Sequence, residues 1–301
     1  MESDMSVRNR KETRNFFAFA GISIIGFLGF YIYPITRTVY LSFTDTSIMD
    51  PIHKMIGWKN FERAIIYDDV FHLALKNTFR YAIFVAALKL FLALIAAILL
   101  NNNLKGIGVF RTIFFLPFII PTFAVSYVFR FFFHPANGLV NESLGKVGVE
   151  GIGWYADSRT AMLTLVISSL WGFGVPMLIF LAALQQVPKE LYEVANLDGA
   201  SRWIQFKIIT FPAISAVFLF NVILATVDSL KSFDLAFLMG RGEGYPANST
   251  LLYSVYLFNQ AFRNPWSLGY ASALALIFFA ILLILTAINF RIGKLYVKSE
   301  N

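Results

Sequence analysis

Lys89 stands near the middle of an apolar run from 78 to 100. An ammonium at membrane depth is costly unless it is paired or hydrated, so it points to an acid on another helix or to a watery path. A second polar set falls in the run from 212 to 239, where Asn221, Asp228 and Ser232 follow at i, i+7 and i+11 and share one helical stripe, with Ser229 and Lys231 beside them. Two readings of that stripe stand side by side: it lines a polar cavity, or Asp228 and Lys231 pair at i, i+3 along their own helix. A third stripe, Ser168, Trp171 and Val175 with Gly172 adjacent, lies in the run from 160 to 184. An aromatic face among hydroxyl-bonding groups makes Trp171 a candidate platform for a ligand; packing is the plainer role for a lone Trp. All of this is binding chemistry. The chain has no cysteine, its three histidines (His53, His72, His134) are far apart, and no nucleophile-base or metal-ligating constellation occurs. No G-x-x-x-x-G-K-[ST] phosphate loop is present either, so ATP hydrolysis by that mechanism is excluded.

The elements that carry these residues are membrane helices. The chain of 301 residues is 57% hydrophobic, holds 33 Phe and is only 14% charged, a composition foreign to soluble domains. Crossing the hydrocarbon takes roughly 20 mostly apolar residues, and six runs qualify: 16–36, 78–100, 110–133, 160–184, 212–239 and 268–291. The expected fold is therefore an all-α integral membrane protein of six transmembrane helices. Arg8, Arg10, Lys11 and Arg14 precede a run too long for a signal peptide and followed by no A-x-A site, so it reads as a retained first helix. Lys105 and Arg111 in the second loop, and Arg291, Lys294 and Lys298 after the last run, contrast with Glu142, Glu150 and Asp157 in the loop from 134 to 159. The positive-inside rule then places both termini in the cytosol. The net charge of +7 is spread over segment ends in this way, which suits membrane orientation and not nucleic acid. The organisation expected is a cytosolic segment 1–15, a transmembrane domain 16–291 and a cytosolic tail 292–301. Thr46 to Lys76 reads as an outer interfacial segment, with a turn at Gly57-Trp58 leading into a short helix. Pro34 falls near the end of the first run, and Pro117 and Pro121 are read as a kink or a hinge within the third. Flexibility is the one visible property of the glycine-rich stretch Gly240 to Pro246.

The connection 185–212 is more structured than a loop requires. Pro188 suits a first helical position, Glu190 and Glu193 lie toward the positive end of the helix dipole, and Leu191, Val194 and Ala195 form an opposing apolar stripe. Gly199 is suited to end the helix, Ser201 to cap the next, and Pro212 to open the fifth span. A rigid amphipathic knob results.

Glu193-Val194-Ala195, three residues, Gly199, nine residues and Ile209-Thr210-Phe211-Pro212 resemble the EAA loop of bacterial ABC-importer permeases, with Val194 and Phe211 as conservative departures. The stretch Glu190 to Ala200 with Trp203 and Phe206 is similar to the carbohydrate branch, the maltose-type permeases. Tyr33-Pro34-Ile35, Ser42 to Asp45, Phe110 to Pro117 and Gly138 to Asn141 agree with the same branch. The resemblance implies a permease subunit of the bacterial or archaeal cytoplasmic membrane that carries a di- or oligosaccharide and is not itself an enzyme. Its implied partners are a second homologous permease, two ATP-binding subunits that hold the ATP and magnesium, an extracellular solute-binding protein facing the outer loops, and lipid; the chain itself takes no cofactor. Glu190, Glu193, Ala195, Asp198, Gly199, Ala200 and Pro212 become the coupling-loop residues, with Glu193 the chief polar anchor and Gly199 the turn. The rival readings are an ABC permease for a non-sugar solute and an ion-coupled transporter with Lys89 and Asp228 as its proton relay.

Overall fold

The computed structural model describes residues 19–47, 49, 54–102, 106–263 and 267–296. The segment 1–15 with its four basic residues, the first residues of the first run, His53, Lys105 and Lys298 lie outside the described residues. Within them the chain is helical, and its only β features are two isolated bridges, Thr44 with Met55 and Ser47 with Ser267. The helices are α1 (Phe19–Ser42), α2 (Lys59–Glu62), α3 (Asp69–Leu100), α4 (Ile107–Ile119), α5 (Thr122–Phe132), α6 (Leu139–Lys146), α7 (Ala161–Ser169), α8 (Gly174–Leu184), α9 (Lys189–Leu197), α10 (Arg202–Gln205), α11 (Ser215–Leu230), α12 (Asp234–Met239), α13 (Tyr253–Phe262) and α14 (Leu268–Tyr296). Four stretches are long and apolar enough to cross a membrane as they stand: α1, α3, the pair α11–α12 and α14. The bent pairs α4–α5 and α7–α8 bring the number to six if each is one span.

The chain divides into two compact units. The first comprises residues up to Tyr67 together with Gln260–Phe278. Here α1 keeps its apolar side chains exposed along its length, as a helix facing lipid or another subunit does. It runs on to Ser42, past the boundary expected at 36, because a π-helical turn at Leu28–Ile32 precedes Pro34 and absorbs its missing donor. The turn at Gly57-Trp58 leads into α2 as expected. The Asn60 amide donates to the carbonyls of Ser42 and Thr44, both at 2.9 Å, and Phe43, Trp58 and Phe61 stack around that anchor.

The second unit, Asp68–Asn259 with the residues after Phe278, holds the core. Its centre is α3, which packs on α8 and α11 through Leu90, Ala93, Ala97, Leu100, Met177, Phe180, Leu181 and Leu184. Ala93 and Ala97, fully buried and four apart, bring the helix backbones close, the usual basis of packing where lipid removes the hydrophobic drive. α3 starts nine residues before the expected 78. Its start is set by Asp68, whose side chain accepts from the Phe71 N–H at 2.8 Å, while the polar residues of its first turns hide the helix from a hydropathy reading.

The third expected span, 110–133, is not one straight helix. α4 and α5 meet at 101°, with Ile120 extended ahead of Pro121, as a residue before proline prefers. Pro117 lies inside α4 without ending it. The fourth span also breaks, bending by 45° at a 3-10 turn, Leu170–Gly172, before α8. At that break a Cβ on Gly174 would stand 1.9 Å from the Phe114 carbonyl oxygen, so only glycine permits this approach of α8 to α4. The stretch Gly240 to Pro246, expected to be flexible, is hydrogen-bonded both internally and to other segments. Its backbone turns on the Gly240 carbonyl, Asn259 donates to Gly242 at 2.7 Å, and Asn77 in α3 donates to Asn248 at 2.9 Å and to Leu251 at 3.3 Å. Those partners come from distant sequence, which is why the glycines alone suggested looseness.

Candidate functional site

The breaks in the third, fourth and fifth spans surround a cavity of about 380 Å³ in the second unit. α3 contributes Tyr81, Val85 and Lys89; α4, α5 and their junction contribute Pro117, Thr122 and Ser126; α7 and α8 contribute Ser168, Ser169, Trp171, Gly172 and Pro176. From the fifth span come Asn221, Asp228, Ser229 and Ser232. Every residue singled out as a pathway candidate, from Lys89 through Ser168, Trp171, Gly172 and Asn221 to Asp228, Ser229 and Ser232, therefore lies on one wall or another of the same space. The helix α11 ends at Leu230, so Ser232 reaches the cavity from the break before α12 and not from a continuous stripe.

The polar groups are held in place by the broken backbone. Asn221, almost fully buried, donates to the Pro176 carbonyl at 3.4 Å, near the start of α8. Tyr81 shares its hydroxyl with Ser169 at 2.6 Å and Ser232 at 3.0 Å, joining three spans at one point. Sequence reasoning missed Tyr81, Ser169 and Ser126. A signal for the first was available, since Tyr81, Val85 and Lys89 fall at i, i+4 and i+8 on one face of α3. Trp171 is half exposed and meets Phe129 edge to face, its other side open to the cavity. Lys89 lies over Gly172: a Cβ there would stand 3.3 Å from its Nζ. Lys146 pairs with Glu142 and Arg159 with Asp157, both away from the cavity lining. Lys89 and Asp228 thus face one cavity without closing a salt bridge, and Asp228 does not pair with Lys231.

The loop 185–212 forms a helix, a turn and a second helix. α9 begins at Lys189, so Pro188 stands just before the helix instead of at its expected first position, and Glu190 lies in the first turn. It ends in a Schellman motif: Gly199 sits at φ +73°, its N–H bonds to the Asn196 carbonyl at 3.1 Å, and the Ala200 N–H bonds to the Ala195 carbonyl at 2.9 Å. The Ser201 hydroxyl accepts from the Ile204 N–H and starts α10. Gln205 ties both arms, donating to the Asn196 side chain at 2.7 Å and to the Ala200 carbonyl at 2.9 Å. A π-helical turn, Phe206–Thr210, precedes Pro212, the same spacing as before Pro34, and the long helix α11 begins only at Ser215. Nothing in α9 is buried: Glu190 and Glu193 are exposed, as are Leu191, Val194 and Leu197, the last at 88%. α9 is thus a braced helix that leaves both its charged and its apolar sides uncovered.

Residues 70–296 match the family model described as binding-protein-dependent transport system inner membrane component. The chain belongs to that family. The permease is thus a multi-pass protein of the cytoplasmic membrane and a transport subunit. It is 38% identical to the probable ABC transporter permease protein YesP of Bacillus subtilis, over 97% of this chain and 94% of that one. It is 35% identical to the lactose transport system permease protein LacF of Rhizobium radiobacter, over 87% and 88%. Its fold matches a chain in the crystal structure of a bacterial alginate ABC transporter in complex with an alginate pentasaccharide-bound periplasmic protein, with a TM-score of 0.84 at 20% identity and coverage of 97% and 98%.

Proposed function

We propose that the permease carries a carbohydrate of two or more sugar units through the cavity between its broken spans, driven by a separate ATPase docked on α9. The observation that carries the reading is the convergence of Lys89, Ser168, Trp171, Asn221, Asp228 and Ser232 on one cavity. Its volume lies in the roughly 300–1,000 Å³ range of small-molecule sites. An aromatic face, hydroxyls, an amide and a carboxylate are the groups that hold sugar rings and their hydroxyls. The similarity to a lactose permease over most of both chains supports the same class of cargo.

Glu190, Glu193, Ala195, Asp198, Gly199, Ala200 and Pro212 are the proposed coupling residues. Coupling needs an element rigid enough to move as a unit between two states, and the Schellman turn with the Gln205 brace supplies that rigidity. The complete transporter would add a second homologous permease, two ATP-binding subunits holding ATP and magnesium, and an extracellular solute-binding protein. The termini would then face the cytosol, as the basic residues at the segment ends favour. In the reconstituted complex, Glu193→Ala is expected to abolish saccharide uptake and weaken ATPase association while the permease remains inserted. Full uptake by that variant, or uptake driven by an ion gradient without ATP, would sink the coupling reading.

A further inference from the structure

Lys89 is the one cationic side chain among the residues that line the cavity, and Asp228 is the one carboxylate there. Hydroxyls are satisfied by the serines, Asn221 and the Asp228 carboxylate. A full positive charge in the middle of a span is kept only where it meets an opposite charge or a filled aqueous site. The neighbourhood is arranged to keep that charge available. Gly172 makes room for the ammonium, since a methyl at that position would press on Nζ at 3.3 Å. The fourth span breaks there into a 3-10 turn, so the ammonium faces the cavity and not a continuous helix wall. Asp228 in α11 lines the same cavity and acts on the ammonium through space, yet closes no direct ion pair with it.

We infer that Lys89 is a specificity-determining residue that receives a carboxylate, and that the cargo is an acidic saccharide of the uronic acid type. The inference rests on the carbohydrate reading above and names its substrate class. The acidic group sits against Lys89 and Gly172, and the hydroxyl-bearing part of the sugar turns toward Asp228, Ser229 and Asn221. Asp228 repels a carboxylate placed at its own end, so the two charges together fix the direction in which the saccharide lies. Within a partly dry cavity an unscreened charge pair is worth far more than in water.

The test uses the full complex in liposomes, with ATP and the binding protein, and two labelled probes, digalacturonate and its neutral counterpart galactobiose. Each is supplied at a concentration that saturates the binding protein, so that the ratio of their rates reports the permease. The native complex is expected to prefer the acid. Lys89→Met is expected to lower the acid-to-neutral ratio by about 10-fold or more, and Lys89→Arg to preserve it. A native preference for galactobiose, or an equal loss of both rates in Lys89→Met, overturns the inference and leaves the carbohydrate reading standing. Transport of neither probe by a complex that carries a non-sugar solute overturns both.

Discussion

Tyr192 in the exposed helix α9 and Thr210 at the foot of the fifth span share a hydroxyl hydrogen bond of 2.9 Å across the coupling loop. Thr210 is buried and Tyr192 half-buried, so the bond ties α9 to the membrane helices at a protected point. Tyr192→Phe removes it while keeping the ring. A net loss of about 1 kcal/mol is expected, read as an uptake rate about 5-fold lower at unchanged membrane insertion and with ATPase activity less responsive to loaded binding protein.

Gly199 occupies the left-handed region with nothing within 4 Å of a modest side chain, so conformation and not space limits what can stand there. Gly199→Asn is expected to retain most uptake, since Asn tolerates this region. Gly199→Val is expected to lose it, with the helix end destabilised by about 1–2 kcal/mol. Amide hydrogen exchange over 195–201 would separate the two variants, rising in the second.

Gly172 and Gly174 lie two residues apart and predict opposite behaviour. A Cβ at 174 meets backbone at 1.9 Å, whereas one at 172 meets only the far end of Lys89. Gly174→Ala is expected to cost about 2 kcal/mol or more through forced displacement of α4 from α8, visible as a lowered Tm and yield. Gly172→Ala is expected to fold normally and to alter transport alone.

Trp171 and Asn221 both line the cavity but differ in what else they hold. Trp171→Ala is expected to raise the apparent KM for the saccharide about 10-fold, a loss of about 1.4 kcal/mol, with Tm little changed because the ring is half exposed. Asn221→Leu leaves the Pro176 carbonyl without its donor. It is expected to lower both transport and Tm, the latter by about 1–3 kcal/mol of stability.

The sequence revealed the membrane class, the six apolar runs and the helix-turn-helix of the loop, because each of these is written in neighbouring residues. Gly199 and Ser201 act within one turn of where they stand, and hydropathy needs no tertiary contact. What escaped was set by distant partners. The 101° break between α4 and α5 cannot be told from a mild kink by Pro117 and Pro121 alone; where the chain bends depends on what receives the freed carbonyls. The ordering of the stretch 240–250 depends on Asn77 and Asn259. Tyr81 was hidden by its own apolar body, although its register with Lys89 on α3 carried the information.

The break at Ile120-Pro121 also bears on how the permease is made. α4 with 13 residues and α5 with 11 rise only about 20 Å and about 16 Å, each short of a hydrocarbon core about 30 Å thick. During synthesis neither half can rest in the bilayer as an independent segment, and the polar backbone exposed at their junction has no place in lipid. The pair is covered only when α8 packs on α4 and α12 packs on α5, and both of those partners follow it in the chain. The bend thus makes the packing of the third span wait on segments that are synthesised after it.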